Sequence, residues 1–126
     1  TELARDGQAC DRWNRLHPTE AAKIPHVSHC LANAEGPVIA ASDYMRAYAD
    51  QIRAYIRAPY TVLGTDGFGR SDTRENLRKF FEVDRYHVTV AALKTLADMG
   101  KIAPSKVAEA IKKYHINSEA AAPWTV

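Results

Sequence analysis

Three groups of residues in this sequence combine types and spacings that could do chemistry. The first is the turn Gly64-Thr65-Asp66-Gly67-Phe68-Gly69-Arg70-Ser71-Asp72, entered from the apolar run Tyr60-Thr61-Val62-Leu63. Glycines permit backbone angles that other residues resist, and free N–H groups at a following helix N-terminus could cradle an anion. Arg70 and Arg74 favour an anion there, whereas Asp66 and Asp72 oppose one. The spacing is not that of a dinucleotide-binding G-x-G-x-x-G, and no Gly-Lys-Ser/Thr completes a phosphate loop. The pattern fits an anion contact and fits, more simply, a turn whose glycines serve the backbone alone.

The second group is His26-x-x-His29-Cys30, whose histidines share one helix face and offer two imidazoles to a metal. A closed site needs further ligands, and only the distant His17, His87, His115 and Cys10 could supply them. Exposed helix residues are the simpler account. The third group comprises Ser28, Ser42, Ser71 and Cys30 as nucleophiles, with His87 behind Asp84 as a base. No G-x-S-x-G elbow is present, Cys30 and His29 are helix neighbours that point apart, and Asp84 reads as a helix cap. No catalytic, cofactor-binding or metal-binding residue is assigned on these grounds.

The elements that must position these groups follow from pattern. Leu3, Cys10, Trp13 and Leu16 fall on one face of a first helix, which His17-Pro18 ends and Gly7 weakens by about 1 kcal/mol relative to alanine. A short helix is expected over 26–34, broken by Gly36-Pro37. Val38-Ile39-Ala40-Ala41 reads as a strand buried on both faces. Ser42-Asp43 should cap a helix whose Met45, Tyr48, Ala49, Ile52, Tyr55 and Ile56 keep helical spacing up to Pro59. A second strand at 60–63 leads into the glycine turn, where Asp72 and Glu75 form a capping box for a helix over 73–81. Helices over 85–99 and 105–114 follow, the former capped by Asp84, ended by Gly100 and apolar nearly all round, hence heavily buried.

Strands separated by helices imply a mostly parallel sheet with helices on its faces, an α/β layered fold. Two strands are too few for such a sheet, and the chain opens directly on a helix cap, so the reading expects a domain whose first strands precede Thr1. A chain of 126 residues with 46% apolar and 25% charged residues forms one domain. The net charge of +2, with both signs interspersed, leaves no footprint for nucleic acid. No apolar run approaches the roughly 20 residues that span a bilayer, so no membrane is expected as a partner. Cys10 and Cys30 read as two buried thiols in a reducing, cytoplasmic compartment.

Longer stretches carry a resemblance. Thr1-Glu2-Leu3-Ala4-Arg5-Asp6-Gly7-Gln8, Trp13-Asn14, Leu16-His17-Pro18, Ser42-Asp43-Tyr44-Met45 and the run from Val62 to Leu77 resemble the homodimeric bacterial pyruvate dehydrogenases. Phe81-Glu82-Val83-Asp84, Val90-Ala91-Ala92-Leu93 and Val107-Ala108-Glu109-Ala110-Ile111 continue the likeness along essentially the whole chain. The Asp66-Gly67-Phe68-Gly69-Arg70-Ser71 turn is also similar to one in transketolase C-terminal domains.

The resemblance implies a transketolase C-terminal-domain-like fold within a longer thiamine-diphosphate-dependent and Mg²⁺-dependent enzyme. That parent decarboxylates pyruvate and reductively acetylates the lipoyl group of an acyltransferase partner. It further implies that the cofactor sits on upstream domains at a dimer interface and not on this segment. The segment's expected partners are those upstream domains and a second copy of the subunit. Asp66, Phe68, Gly69, Arg70 and Ser71 then become a turn that fixes the strand-to-helix crossing, with a subunit or anion contact as its further role. The contrasting reading is a stand-alone interaction or small-anion-binding module that uses the 64–71 turn.

Overall fold

The computed structural model describes residues 1–66 and 73–125. Its elements are α1 (Glu2–Leu16), α2 (His26–Cys30), β1 (Val38–Ala41), α3 (Arg46–Asp50), β2 (Tyr60–Leu63), α4 (Arg74–Phe80), α5 (Arg85–Asp98) and α6 (Pro104–Lys113). Single 3-10 turns lie at Arg53–Tyr55 and Pro123–Thr125. β1 and β2 pair in parallel, with Val38 opposite Tyr60 and Ala41 opposite Leu63, as helix-separated strands should. The ladder is prolonged past the strand ends by Ser42 N–H to Leu63 O (3.0 Å) and Thr65 N–H to Tyr44 O (2.8 Å).

The crossover between the strands is not the single helix that its apolar spacing suggests. α3 ends at Asp50, and the chain turns at Arg53 so that its guanidinium donates to Asp50 Oδ1 (2.6 Å) and Tyr60 O (2.7 Å). The Tyr60 hydroxyl returns to Ala49 O (2.7 Å), and burial of that phenol pushes its pKa above the usual value. These bonds fold the crossover back beside β2. Ser42 does not cap a helix: its hydroxyl accepts from Tyr44 N (3.0 Å), and α3 begins after Met45 without a side-chain cap. Met45 and Tyr48, expected inward, are 52% and 55% exposed.

α1 also turns a different face inward. Leu3 and Leu16 are exposed, and the buried positions are Ala4, Gly7 and Cys10, spaced three apart. Gly7 is where the Tyr55 ring lies directly against the helix backbone. Tyr55 is fixed by its hydroxyl to Asp11 (3.0 Å) and by its carbonyl, which accepts from Ser28 Oγ (2.5 Å). The residue read as a weakness is therefore a contact. The connector after α1 folds back on it: Trp13 stacks on His17 at 4.3 Å, and the Asn14 side chain bonds both the N–H and the carbonyl of Lys23. α2 ends at Cys30, short of Ala34, and Cys30 is exposed while only Cys10 is buried; both thiols are free.

α5 packs on both strands, and its contact with β2 is a pair of hydroxyls. Thr95 Oγ1 donates to Ala91 O (2.8 Å) and lies 3.4 Å from Thr61 Oγ1. Thr95 is the only residue of α5 that is fully inside; Val88, Leu93 and Leu96 are half-buried, contrary to the expectation for so apolar a helix. β1 is likewise half-buried, with Ala41 exposed, whereas Tyr60 and Val62 of β2 are buried. α6 closes over α5 through Val107 and Ala110.

Helix ends account for most of the remaining order. Asp84 caps α5 by accepting from His87 N (2.9 Å), as its position suggests. α4 is capped by Thr73, whose Oγ1 accepts from Asn76 N (3.3 Å), and starts at Arg74; Asp72, the expected cap, lies outside the described residues. α5 stops in the expected left-handed Gly100 (φ +76°), with Lys101 N bonding Leu96 O (2.9 Å) and Gly100 N bonding Ala97 O (3.0 Å). α4 and α6 end in the same double-bonded turn, with Glu82 (φ 61°) and His115 (φ 56°) in the glycine position.

Helix propensity alone predicts that Gly7→Ala stabilises the chain by about 1 kcal/mol. The Tyr55 contact reverses that sign. Overpacking should cost about 1–3 kcal/mol, read as a lower urea midpoint at unchanged slope.

Candidate functional site

The end of β2 is held by one side chain from the opposite strand's crossover. Gly64 lies against the start of α3: a Cβ on it would come within 2.8 Å of Arg46 N and 2.9 Å of Arg46 Cα, so only glycine allows this approach. Arg46 N–H donates to Asp66 Oδ1 (3.3 Å), and the Arg46 guanidinium Nε donates to Asp66 Oδ2. The same guanidinium lies over the Trp124 ring, 4.3 Å from its centroid. Asp66 is three-quarters covered at its side chain and Arg46 somewhat more exposed. A charge-assisted pair in such a half-dry setting is stronger than a surface ion pair.

That pairing revises the electrostatics of the turn. Asp66 does not oppose an anion with a free charge, because Arg46 balances it. Of the turn residues singled out by sequence, Asp66 is the one the structure places; Phe68, Gly69, Arg70 and Ser71 lie outside the described residues. Arg46 and Trp124 were missed by sequence reasoning. Arg46 is one of three arginines in the crossover, with Arg53 and Arg57, and nothing local sets it apart; Trp124 is an aromatic residue in a small-residue tail.

The other candidate groups are dispersed. His26 Nε2 lies 3.3 Å from Cys30 Sγ, so the i and i+4 residues meet and His29 does not join them. No group of three His, Cys, Asp or Glu residues among those described could hold a metal ion. Ser28 is committed to Tyr55 O and Ser42 to Tyr44 N, and among the described residues neither bonds a histidine. Asp84 does more than cap: its Oδ1 also bonds His87 Nδ1 (2.7 Å), and both side chains are 16% exposed. This dyad orients His87, and among the described residues no nucleophile is bonded to it.

Beyond the carboxyl end of β1 opens a cleft of about 850 Å³, floored by Ala41, Ser42 and Asp43. Ligands of parallel α/β sheets bind outside the carboxyl ends of the strands, so its position is that of a binding site. Arg74, Arg78 and Lys79 of α4 form one side, and Tyr86, His87 and Tyr114 the other. Arg78 reaches Asp43 at 3.4 Å across the floor, and Tyr86 and Tyr114 meet with ring centroids 4.9 Å apart. A smaller hollow of about 280 Å³ adjoins it under Leu77 and Phe81.

Because the atoms facing Gly64 are backbone, they cannot swing aside. Gly64→Ala should therefore destabilise the chain more than Asp66→Ala, which costs about 1.5–3 kcal/mol as the loss of a bond to a charged group. Paired urea titrations of the two variants check the order.

Comparison with known proteins accords with this geometry. The sequence profile of the transketolase-like TK C-terminal domain family matches residues 10–84, from the middle of α1 to the cap of α5. The chain is 60% identical over all 126 residues to the pyruvate dehydrogenase E1 component of Cupriavidus necator. It is 59% identical over 119 residues to that of Pseudomonas aeruginosa and 52% identical over 124 to that of Escherichia coli K12. These alignments take in 100%, 94% and 98% of this chain but 14% of each relative, so it spans about one seventh of their length. With its parallel strands, helical crossover and helix-covered sheet, the chain belongs to the transketolase-like C-terminal domain family.

Proposed function

We propose that this chain is a C-terminal-domain segment of a pyruvate dehydrogenase, the component that decarboxylates pyruvate and passes the two-carbon unit to a lipoyl group on an acyltransferase. The observation that carries this reading is the 60% identity along the whole chain to a protein of that name. The parent uses thiamine diphosphate and Mg²⁺, works as a homodimer in the cytoplasm, and carries its cofactor on domains other than this one. The donor set described above does not fit that cofactor: no cluster of oxygen ligands is assembled for Mg²⁺ among the described residues. No step of the reaction is therefore derived through these residues.

The segment's own contribution is packing. No large side chain is fully buried among the described residues, and Tyr44, Met45, Tyr48 and Trp124 are all more than half exposed. β1 and β2 each pair on one side only among the described residues. Apolar surface and open strand edges of this kind favour contact with further protein, which we assign to the parent's other domains and its second subunit.

The test compares two purified proteins. The full-length parent, supplied with thiamine diphosphate, Mg²⁺ and a lipoyl acceptor, should release CO₂ from pyruvate. The 126-residue chain should release none and show no thermal shift with the cofactor. Turnover by the short chain, or a parent that ignores pyruvate and processes a sugar phosphate, contradicts the proposal.

A further inference from the structure

We infer that the cleft beyond the carboxyl end of β1 binds a small organic anion, its charged end on α4 and its planar or apolar body against the tyrosine pair. The inference goes beyond the packing role, and its test rests on the parent enzyme proposed above. It starts from a charge count on the cleft wall. Four cations line it, Arg74, Arg78, Lys79 and Arg85, against three carboxylates, Asp43, Glu75 and Asp84.

Two of the three carboxylates are already engaged. Asp84 accepts from both the backbone N–H and the ring of His87, and Asp43 meets Arg78. On the cationic side, Arg74 and Lys79 have no ion-pair partner among the described residues. Arg78 holds Asp43 only at 3.4 Å with both side chains substantially exposed, a contact that an incoming anion can share or replace. Arg74 and Arg78 stand one helical turn apart, so their guanidinium groups can converge on one phosphate or carboxylate.

The opposite wall has different chemistry. Tyr86 and Tyr114 line it with their rings packed together, and Ile116 and Val83 extend the apolar surface. Arg85 is held back on this wall, donating to the Tyr86 hydroxyl (2.7 Å) and lying over its ring at 4.9 Å. Cations facing aromatic and aliphatic groups across about 850 Å³ suit a ligand with one anionic end and one flat or apolar end. The volume lies within the range of small-molecule sites and is too large for a bare inorganic ion alone.

Phenyl phosphate is the probe, with inorganic phosphate and phenol as its two halves. Binding is measured by calorimetry on the full-length protein saturated with thiamine diphosphate and Mg²⁺, so that the catalytic centre is occupied. Phenyl phosphate should bind saturably and more tightly than either half. The double variant Arg74→Ser/Arg78→Ser should weaken it about tenfold or more, as expected for losing two charge-assisted contacts. Tyr86→Ala should weaken phenyl phosphate while leaving inorganic phosphate unchanged, a split that general unfolding would not produce. Binding that survives the double variant intact, a Tyr86→Ala effect equal on both phosphates, or no saturable binding overturns the inference.

Discussion

The structure depends on Arg46 being able to sit where it does. Its backbone presses against Gly64, its amide and guanidinium both reach Asp66, and its planar head lies under Trp124. One residue thereby joins the start of α3, the end of β2 and the C-terminal tail. Parallel strands cannot be tied by a tight hairpin, so the crossover must be brought back by side-chain and backbone contacts. Arg53 does this at the entry to β2, through Tyr60 O, and Arg46 does it at the exit. Among the described residues the sheet has two strands, and these contacts help to set its register.

The same economy recurs where helices meet the rest of the chain. Close approach is obtained with small groups: Gly7 under Tyr55, Gly64 under Arg46, and Thr95 beside Thr61. Several large apolar side chains are left exposed, including Tyr48, Met45 and Trp124. A layer that is thin inside and apolar outside suits a domain that contributes surface to a larger assembly. The cleft at the strand ends is built oppositely, with charged side chains of α4 on one wall and rings on the other.

Much of this was legible in the sequence. Both strands were found at their observed residues because short β-branched and apolar runs sat between Gly-Pro, Pro and glycine punctuation. The Asp84 cap and the Gly100 terminator were read correctly since each uses the residue type its geometry favours. Glu82 and His115 end helices in the same way with residues that carry no such signal. The crossover was misread because apolar spacing from Met45 to Ile56 continues through a break set by Arg53 and Tyr60, a long-range demand that no local pattern encodes. Leu3 and Leu16 misled for a related reason: α1 packs by its smallest residues, so hydrophobicity pointed to the wrong face. Asp66 bonds Arg46, a partner 20 residues earlier that spacing alone does not identify. The α4 cations and the tyrosine pair come from separate helices, and only folding brings them to one cleft.

The measurement that bears most directly on this account is a double-mutant cycle of Arg46→Ala and Asp66→Ala, read by urea unfolding of the chain. If Arg46 holds the strand end through Asp66, the two losses are not additive, and the coupling energy should be at least about 1 kcal/mol. Losses that add to within about 0.3–0.5 kcal/mol, as they do for independent sites, would contradict it.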